Sequence, residues 1–324
     1  MFRSLRRRLR DRRAARLEAD LSAPPAHLAV IPDGNRRHAR ARNAPIETGH
    51  RAGAETAEAL LEWCIEFEVA ELTIYGFSTE NFERPPDERA AILDLIAAKL
   101  DELAESDRVE RHGVRVTVFG DRARLPAHVR SAAETVEAAT AEHDGLRCNV
   151  GLAYGGRVAL LEGVRDTLEA VERGTLDPTG IDGRTLDATV GAVSDRPVDL
   201  LVRTGGEYRT SNFLPWRARG AEATMVSVER HWPSFDRAAL LEAFRTHERI
   251  RAGIAERRRA RRRASRELAR AADASTEPAV SSREAERERP AHDRREDSRG
   301  AEWPYPRDPG RPGPSRTHPA PSDP

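Results

Sequence analysis

Six short apolar runs alternate with longer segments of helical periodicity along this chain, and that alternation leaves few architectures open. The runs are His27–Ile31, Glu71–Phe77, Val114–Gly120, Leu146–Leu152, Asp199–Arg203 and Ala223–Val228. The helical segments are Gly53–Val69, Asp87–Arg111, Pro126–His143, Val158–Glu172 and Asp236–Arg249. In the first of these, Leu60, Leu61, Cys64 and Ile65 recur at the spacing of a buried helical face, with Trp63 and Phe67 beside them. A connection long enough to hold a helix returns the chain to start a parallel neighbour, whereas an antiparallel pair needs only a turn. The expected fold is therefore α/β: a single domain with a mostly parallel central sheet of about six strands, flanked by helices. No internal repeat is visible.

With 324 residues the chain is long enough for one large core. No run of 18 apolar residues exists, so no spanning helix is expected. The basic N-terminus lacks the apolar stretch of a secretory signal. Cys64 and Cys148 are far apart and form no CxxC, which argues against a disulfide framework and a zinc site alike. Both read as buried apolar residues of a protein in a reducing cytoplasm.

The formal charge of zero conceals an uneven distribution. Residues 1–20 hold eight arginines against three acids, and residues 245–270 hold eleven against three. The body between them is acidic, and Lys99 is its only lysine, a composition that resembles proteins working in a high-salt cytoplasm. In residues 1–20, Phe2, Leu5, Leu9 and Leu17, with Leu21 just beyond, share one face of a basic amphipathic leader. That leader reads equally as a helix lying on the cytoplasmic face of an anionic membrane or as a solvated extension. Residues 21–253 form the expected folded domain. Residues 254–270, with Arg257–Arg259 and Arg261–Arg263, read as an Arg-rich helix or arm. Residues 271–324 hold 10 of the 21 prolines and almost no aliphatic side chains, so a disordered tail is expected there.

In a parallel α/β sheet, ligands bind beyond the carboxyl ends of the strands. After the first strand comes Pro32-Asp33-Gly34-Asn35-Arg36-Arg37-His38, and after the second Ser78-Thr79-Glu80-Asn81-Phe82-Glu83-Arg84. After the fourth comes Ala153-Tyr154-Gly155-Gly156-Arg157, and after the fifth Thr204-Gly205-Gly206-Glu207-Tyr208-Arg209-Thr210-Ser211-Asn212. Arginine forks, glycines that admit backbone N–H groups, and hydroxyls together suit a doubly charged oxyanion such as diphosphate. Asp33 among them either pairs with arginine or holds Mg2+ against phosphate oxygens. No GxxxxGK[ST] or GxGxxG nucleotide signature is present.

Six segments, HLAVIPDGNRRHAR, TGHRAG, YGFSTENFERP, NVGLAYGGR, LLVRTGGEYRTSNFLPW and HWPSFD, together resemble the cis-prenyltransferase family of undecaprenyl and dehydrodolichyl diphosphate synthases. The resemblance spans about residues 25–253. It implies condensation of isopentenyl diphosphate onto an allylic diphosphate, farnesyl or geranylgeranyl, with Mg2+ as cofactor, to make a Z-polyprenyl diphosphate lipid carrier precursor. It implies a homodimer. By this resemblance Asp33 binds Mg2+ and assists departure of the allylic diphosphate, and Glu222 is the second metal carboxylate. Gly34, Asn35, Arg36, Arg37 and His50 line the allylic diphosphate site, with His38 and Phe82 near the substrate. Asn81, with Ser78, sits where the incoming isopentenyl group loses its proton. Thr79, Glu80 and Arg84 belong to the same substrate-binding loop, and Glu88 falls at a carboxylate position of the next helix. Arg203, Arg209, Thr210 and Ser211 match the isopentenyl diphosphate clamp, and Arg251-Ala252-Gly253 resembles an element reaching across the dimer interface. Pro32, Ile46 and Tyr208 depart from the family's usual residues.

The segments Gly53–Val69 and Asp87–Leu103 are expected to wall an apolar tunnel, with Ala90, Ala91, Ala97 and Ala98 giving it room. Two other functions remain on the sequence. A non-catalytic accessory subunit is the alternative, against which Asp33 and the intact RTGGExRxSN motif stand. A nucleic-acid binder using the Arg-rich ends is disfavoured by the acidic body and the sparse aromatics, so no nucleic acid is expected as partner.

Overall fold

The computed structural model describes residues 14–190, 196–216 and 223–274. Its six strands are β1 (His27–Ile31), β2 (Glu71–Ser78), β3 (Arg115–Phe119), β4 (Arg147–Tyr154), β5 (Leu200–Thr204) and β6 (Thr224–Val228). They form one sheet in the order β3-β4-β2-β1-β5-β6, and every pairing is parallel. The sheet is thus wholly rather than mostly parallel. Along β1 the side chains divide between two cores. Leu28 and Val30 join one cluster, while Ala29 and Ile31 join the other on the opposite face. Burial on both faces is why β1 reads as an almost continuous apolar run.

The helices are α1 (Asn35–Arg40), α2 (Ile46–Glu66), α3 (Pro86–Ala104), α4 (Asp107–Arg111), α5 (Ala127–Ala139), α6 (Gly156–Glu172), α7 (Gly183–Thr189) and α8 (Arg237–Ala274). Residues of α2, α3, α5 and α8 cover the first face through Leu60, Leu61, Ile92, Leu93, Val129, Val136, Leu240 and Phe244. On the second face Phe213 stacks on Tyr75 at 4.4 Å between ring centroids. Cys64 and Cys148 are buried free thiols, pushed up in pKa by that burial, Cys148 to about 12.

Several element boundaries shift from the sequence pattern by a few residues, and three helices differ in extent or division. Helix α2 begins at Ile46, not Gly53; its Gly49 and Gly53 lie against Asn35 of α1, where a side chain would collide. The expected helix Asp87–Arg111 is two helices, since Ser106 caps the second by accepting a hydrogen bond from the Val109 amide. The expected helix Asp236–Arg249 and the Arg-rich stretch are one continuous helix, α8. Up to Leu268, His247 is its last buried residue, and from Ala255 to Leu268 every side chain is exposed. The chain separates into two compact units, 1–267 and 268–324, and the described part of the second is helical to residue 274.

Residues 14–19 are helical, and Ala14, Leu17 and Leu21 pack with Phe67, Ala238 and Leu241. This part of the leader's apolar face is therefore spent on the protein's own core. Phe2, Leu5 and Leu9 lie outside the described residues, as do residues 275–324 of the expected tail. No helix among the described residues is long and apolar enough to cross a membrane.

Candidate active site

The chain leaves β1 toward β2 on one side and leaves β5 toward β6 on the other, so the adjacent carboxyl ends of β1 and β5 open a crevice. Ile31 is the register partner of Arg203, which places Asp33, two residues past the strand, beside that guanidinium. Arg203 is 4% exposed and donates to Asp33 Oδ2 at 2.7 Å. Its other terminal nitrogen donates to the Arg209 carbonyl at 2.6 Å and to Ser211 Oγ. Arg37, one turn into α1, donates to Asp33 Oδ1 at 3.1 Å and to the Gly205 carbonyl at 2.9 Å. Thr204 fixes the backbone beneath: its hydroxyl accepts from the Asp33 amide at 2.9 Å and donates to the Asp33 carbonyl at 2.8 Å. Burial alone opposes the charge on Asp33, but the bonds from Arg203 and Arg37 outweigh it and hold the carboxyl below its usual range.

Two glycines make this approach possible. Gly34 has φ of 106°, and a Cβ there would lie 2.9 Å from the side chain of His231. Gly205 has φ of 85°, and a Cβ there would collide with the Arg37 guanidinium.

A second cluster gathers on Glu88, which is buried at the start of α3. Arg84 donates to it at 3.1 Å, and Arg36 Nε and His50 Nε2 lie 3.5 Å away. Burial and the repulsion of Arg84 together lower the His50 pKa despite Glu88, so the ring is neutral at neutral pH. Around these two clusters collect buried polar atoms with no hydrogen-bond partner: Asn35 Oδ1, Arg36 Nε, His50 Nε2 and Arg203 Nε. Buried polar atoms are ordinarily bonded, and such a concentration of three nitrogens and one acceptor oxygen in one crevice marks groups placed for a ligand.

The β2 loop closes one side. The Ser78 amide donates to Asn81 Oδ1 at 3.2 Å, and the Ser78 side chain accepts from the Asn81 backbone, a reciprocal cap on a short 3₁₀ turn. Glu80 is opposed by burial, yet hydrogen bonds from its own backbone, Ser78, Asn212 and Thr79 lower its pKa overall. The β5 loop closes the other side through a run of left-handed residues, Ser211 (φ 46°), Asn212 (φ 61°) and Leu214 (φ 47°). Asn212 ties this loop to α6: its backbone and side-chain oxygens accept from the amides of Gly156 and Arg157, each at 2.8 Å. Strained non-glycine backbone of this kind persists where the surroundings over-determine it.

These groups stand at the head of a cavity of about 1200 Å³. Asp33, Asn35, His50, Ser78, Glu80, Asn81, Arg84, Arg203, Arg209, Thr210 and Ser211 all line it, and so does Trp232. Its apolar wall is Ala54, Ala57 and Leu61 of α2 with Ile92, Leu95, Ile96, Leu100 and Leu103 of α3. Both expected helices thus wall the cavity, but the expected alanines do not. Ala90, Ala91, Ala97 and Ala98 are absent from the lining, and Ala97 sits in the core instead. Lining is decided by which helical face meets the cavity, and on α3 that face carries isoleucine and leucine.

Several expected site residues stand outside the lining. Arg36 and Arg37 act through Glu88 and Asp33 as above. His38 is buried on the covered side of α1, bonded to Ser234 at 3.2 Å. Thr79 lies under Gly155, and Phe82 packs edge-on against Phe77 with the Arg124 guanidinium over its ring. Arg251 donates to Asp199 at 3.0 Å, at the amino end of β5 and thus away from the crevice. Glu222 lies outside the described residues. Thr204 and Asn212 were not singled out, and only their places in the β5 loop, next to Arg203 and Ser211, hinted at them.

The arrangement supplies fixed cationic donors for an oxyanion, with the ionised Asp33 carboxylate set among them, and an apolar space long enough for a hydrocarbon. A family model described as putative undecaprenyl diphosphate synthase matches residues 31–253. A protein of Halobacterium salinarum named tritrans,polycis-undecaprenyl-diphosphate synthase (geranylgeranyl-diphosphate specific) is 48% identical over 232 residues, 72% of this chain and 77% of that one. A protein of the same name from Haloarcula marismortui is 47% identical, covering 72% and 76%. Among solved structures, lavandulyl diphosphate synthase from Lavandula x intermedia, in complex with dimethylallyl diphosphate, is similar. It shares 28% identity and a TM-score of 0.64 over 69% of this chain and 95% of that one.

Proposed function

The chain belongs to the undecaprenyl diphosphate synthase family of cis-prenyltransferases, and on that premise we propose that it elongates an allylic diphosphate with isopentenyl diphosphate in the crevice between β1 and β5. The observation that carries this reading is the Arg37–Asp33–Arg203 triad at the polar head of a cavity whose depth is apolar. Geranylgeranyl diphosphate is the favoured primer, on the strength of the relatives' specificity, with farnesyl diphosphate as the comparison.

Arg203, Arg209 and Ser211 hold the isopentenyl diphosphate, and Asn35, Arg36, Arg37 and His50 hold the allylic one. Arg36 Nε, His50 Nε2 and Arg203 Nε are buried, already placed and without a hydrogen-bond partner, which supports their stabilising the charge that develops on the departing oxygens with little reorganisation. Ser78 and Asn81 hold the isopentenyl group where it loses its proton. Gly34 allows the chain to turn into α1, and Thr79, Glu80, Phe82, Arg84 and Thr210 shape the two loops around the substrates.

The donor set fits Mg2+: the Asp33 carboxylate, 29% exposed among arginines in the crevice, matches an ion that needs one or two carboxylates and takes its other ligands from phosphate and water. Asp33 would hold it, with Glu222 as the assigned second carboxylate. When bound, the ion supplies Lewis-acid neutralisation of the leaving diphosphate.

Residues 21–253 are the catalytic domain in this reading, and two copies associate. An apolar stripe supports association: Val158, Leu161, Val164 and Leu168 lie along one face of α6, Leu161 58% exposed. Contact with the cytoplasmic face of a membrane is assigned to the basic ends, since the product is too apolar to leave in water. Full-length protein given Mg2+, labelled isopentenyl diphosphate and geranylgeranyl diphosphate should yield a ladder of polyprenyl diphosphates. Failure to incorporate label with either primer overturns the proposal.

A further inference from the structure

The two ends of isopentenyl diphosphate are assigned above to loops that are not neighbours. Arg203, Arg209 and Ser211, for the diphosphate, belong to the end of β5 and its loop. Ser78 and Asn81, for the carbon that loses its proton, belong to the end of β2 and its loop. Strand β1 runs between β2 and β5, so the two loops start roughly 10 Å apart, two strand spacings. A condensation that depends on where one carbon sits relative to a clamped diphosphate needs those loops fixed against each other, since misplacement by about 1 Å costs about 10²-fold in rate.

Asn212 meets that need. Its carbonyl and its Oδ1 accept from the amides of Gly156 and Arg157, each at 2.8 Å, which ties the β5 loop to the first turn of α6. With Oδ1 so engaged, Nδ2 is left to donate, and it donates to the Glu80 carboxylate, next to Asn81 in the β2 loop. The two loops close over the bare α-carbon of Gly155, where a Cβ would stand 2.7 Å from Thr79 Oγ1 and 3.2 Å from Asn212 Nδ2. Glu80 and Asn212 both line the cavity, beside Asn81 and Ser211. Asparagine suits the place on two counts. Its φ of 61° lies in the left-handed region that asparagine tolerates, and its amide accepts on one side while it donates on the other. Aspartate keeps the shape and the tolerance but loses the donor.

We propose that Asn212, bonded at once to α6 and to Glu80, is a positioning residue that sets the isopentenyl diphosphate clamp in register with Asn81. A clamped isopentenyl diphosphate then puts the carbon that loses its proton beside Asn81. This rests on the prenyltransferase reading above. The test is the single-turnover rate of the first condensation of labelled isopentenyl diphosphate with geranylgeranyl diphosphate, in full-length protein. Asn212→Asp and, separately, Glu80→Ala should each slow that step about tenfold, as expected for one lost hydrogen bond to a charged group. Half-saturation by isopentenyl diphosphate should stay within about twofold of the parent's, because Arg203, Arg209 and Ser211 are untouched. Combining Asn212→Asp with Glu80→Gln exchanges donor and acceptor, and should return the rate to within about threefold of the parent's. An Asn212→Asp protein at the parent's rate, or a double variant no faster than Asn212→Asp, overturns the bridge. So does a rise in half-saturation with no loss of rate. Glu80→Ala leaves every bond between Asn212 and α6 in place, and its rate decides the matter alone if Asn212→Asp does not fold. A parent that condenses nothing overturns the prenyltransferase reading instead.

Discussion

At the amino ends of β1 and β2, His27, Glu71, Thr73 and Asn149 close on one another. His27 Nε2 bonds Thr73 at 2.8 Å, His27 Nδ1 meets the Arg196 carbonyl at 3.1 Å, and Asn149 donates to Glu71 at 2.7 Å and to Thr73 at 3.1 Å. At the carboxyl ends of β1 and β5 charged groups are buried too, Arg203 and Glu88 among them, yet Asn35, Arg36, His50 and Arg203 each keep a polar atom without a hydrogen-bond partner. Burial and charge are therefore common to both edges and identify neither as a site. What separates them is saturation: the amino edge has met its own demand, and the carboxyl edge is built for something that arrives.

The sharpest way to break this contrast is Asp33→Ala. Labelled isopentenyl incorporation should fall 10²–10³-fold, about 3–4 kcal/mol of transition-state stabilisation, while urea unfolding changes by about 1 kcal/mol. Glu71→Ala should do the reverse. Removing one member of the closed network is expected to cost about 3 kcal/mol in the same unfolding assay, with kcat/KM of the folded protein unchanged. Equal effects of the two variants on both measurements would erase the distinction. Glu88→Gln tests the middle ground. It leaves Arg36, Arg84 and His50 without the carboxylate that gathers them, and KM for the allylic primer should rise about tenfold, about 1.4 kcal/mol, with little change in kcat.

The smallest effect is in pH. Burial lowers the pKa of His27, His38, His50 and His247 from 6.5 in the folded protein. The unfolded chain therefore takes up protons that the folded one resists. Stability is full above about pH 6.5 and declines as pH falls below it. Thermal midpoints between pH 7.5 and 5.5 should fall for the parent. Bound inorganic diphosphate should relieve the part of the loss that belongs to His50, and leave the part that belongs to His27.

All six strands were visible in the sequence because each carries apolar side chains that pack in one of the two cores, and β1 was bounded to the residue. The elements that escaped lack that signal. Helix α1 has six residues, most of them polar, and its only stabilising context is the crevice it helps to build. Helix α7 is short and carries its own capping box on Asp182, with no apolar periodicity to announce it. Within the site, the loops were legible because their arginines, glycines and hydroxyls follow strand ends. Glu88 as a meeting point was not, because Arg36 and His50 come to it from distant parts of the chain. The tunnel was foreseen in its helices but misplaced in its residues, since small size says nothing about which face looks inward.

The outer half of α8 carries a separate consequence. Between Ala255 and Leu268 it has no buried side chain, so its backbone hydrogen bonds are supported by nothing but helix propensity, which is marginal for so short a stretch. It is also dense in arginine. A trypsin-like protease should therefore nick the molecule there long before it attacks the sheet, leaving a trimmed core whose catalytic crevice is intact.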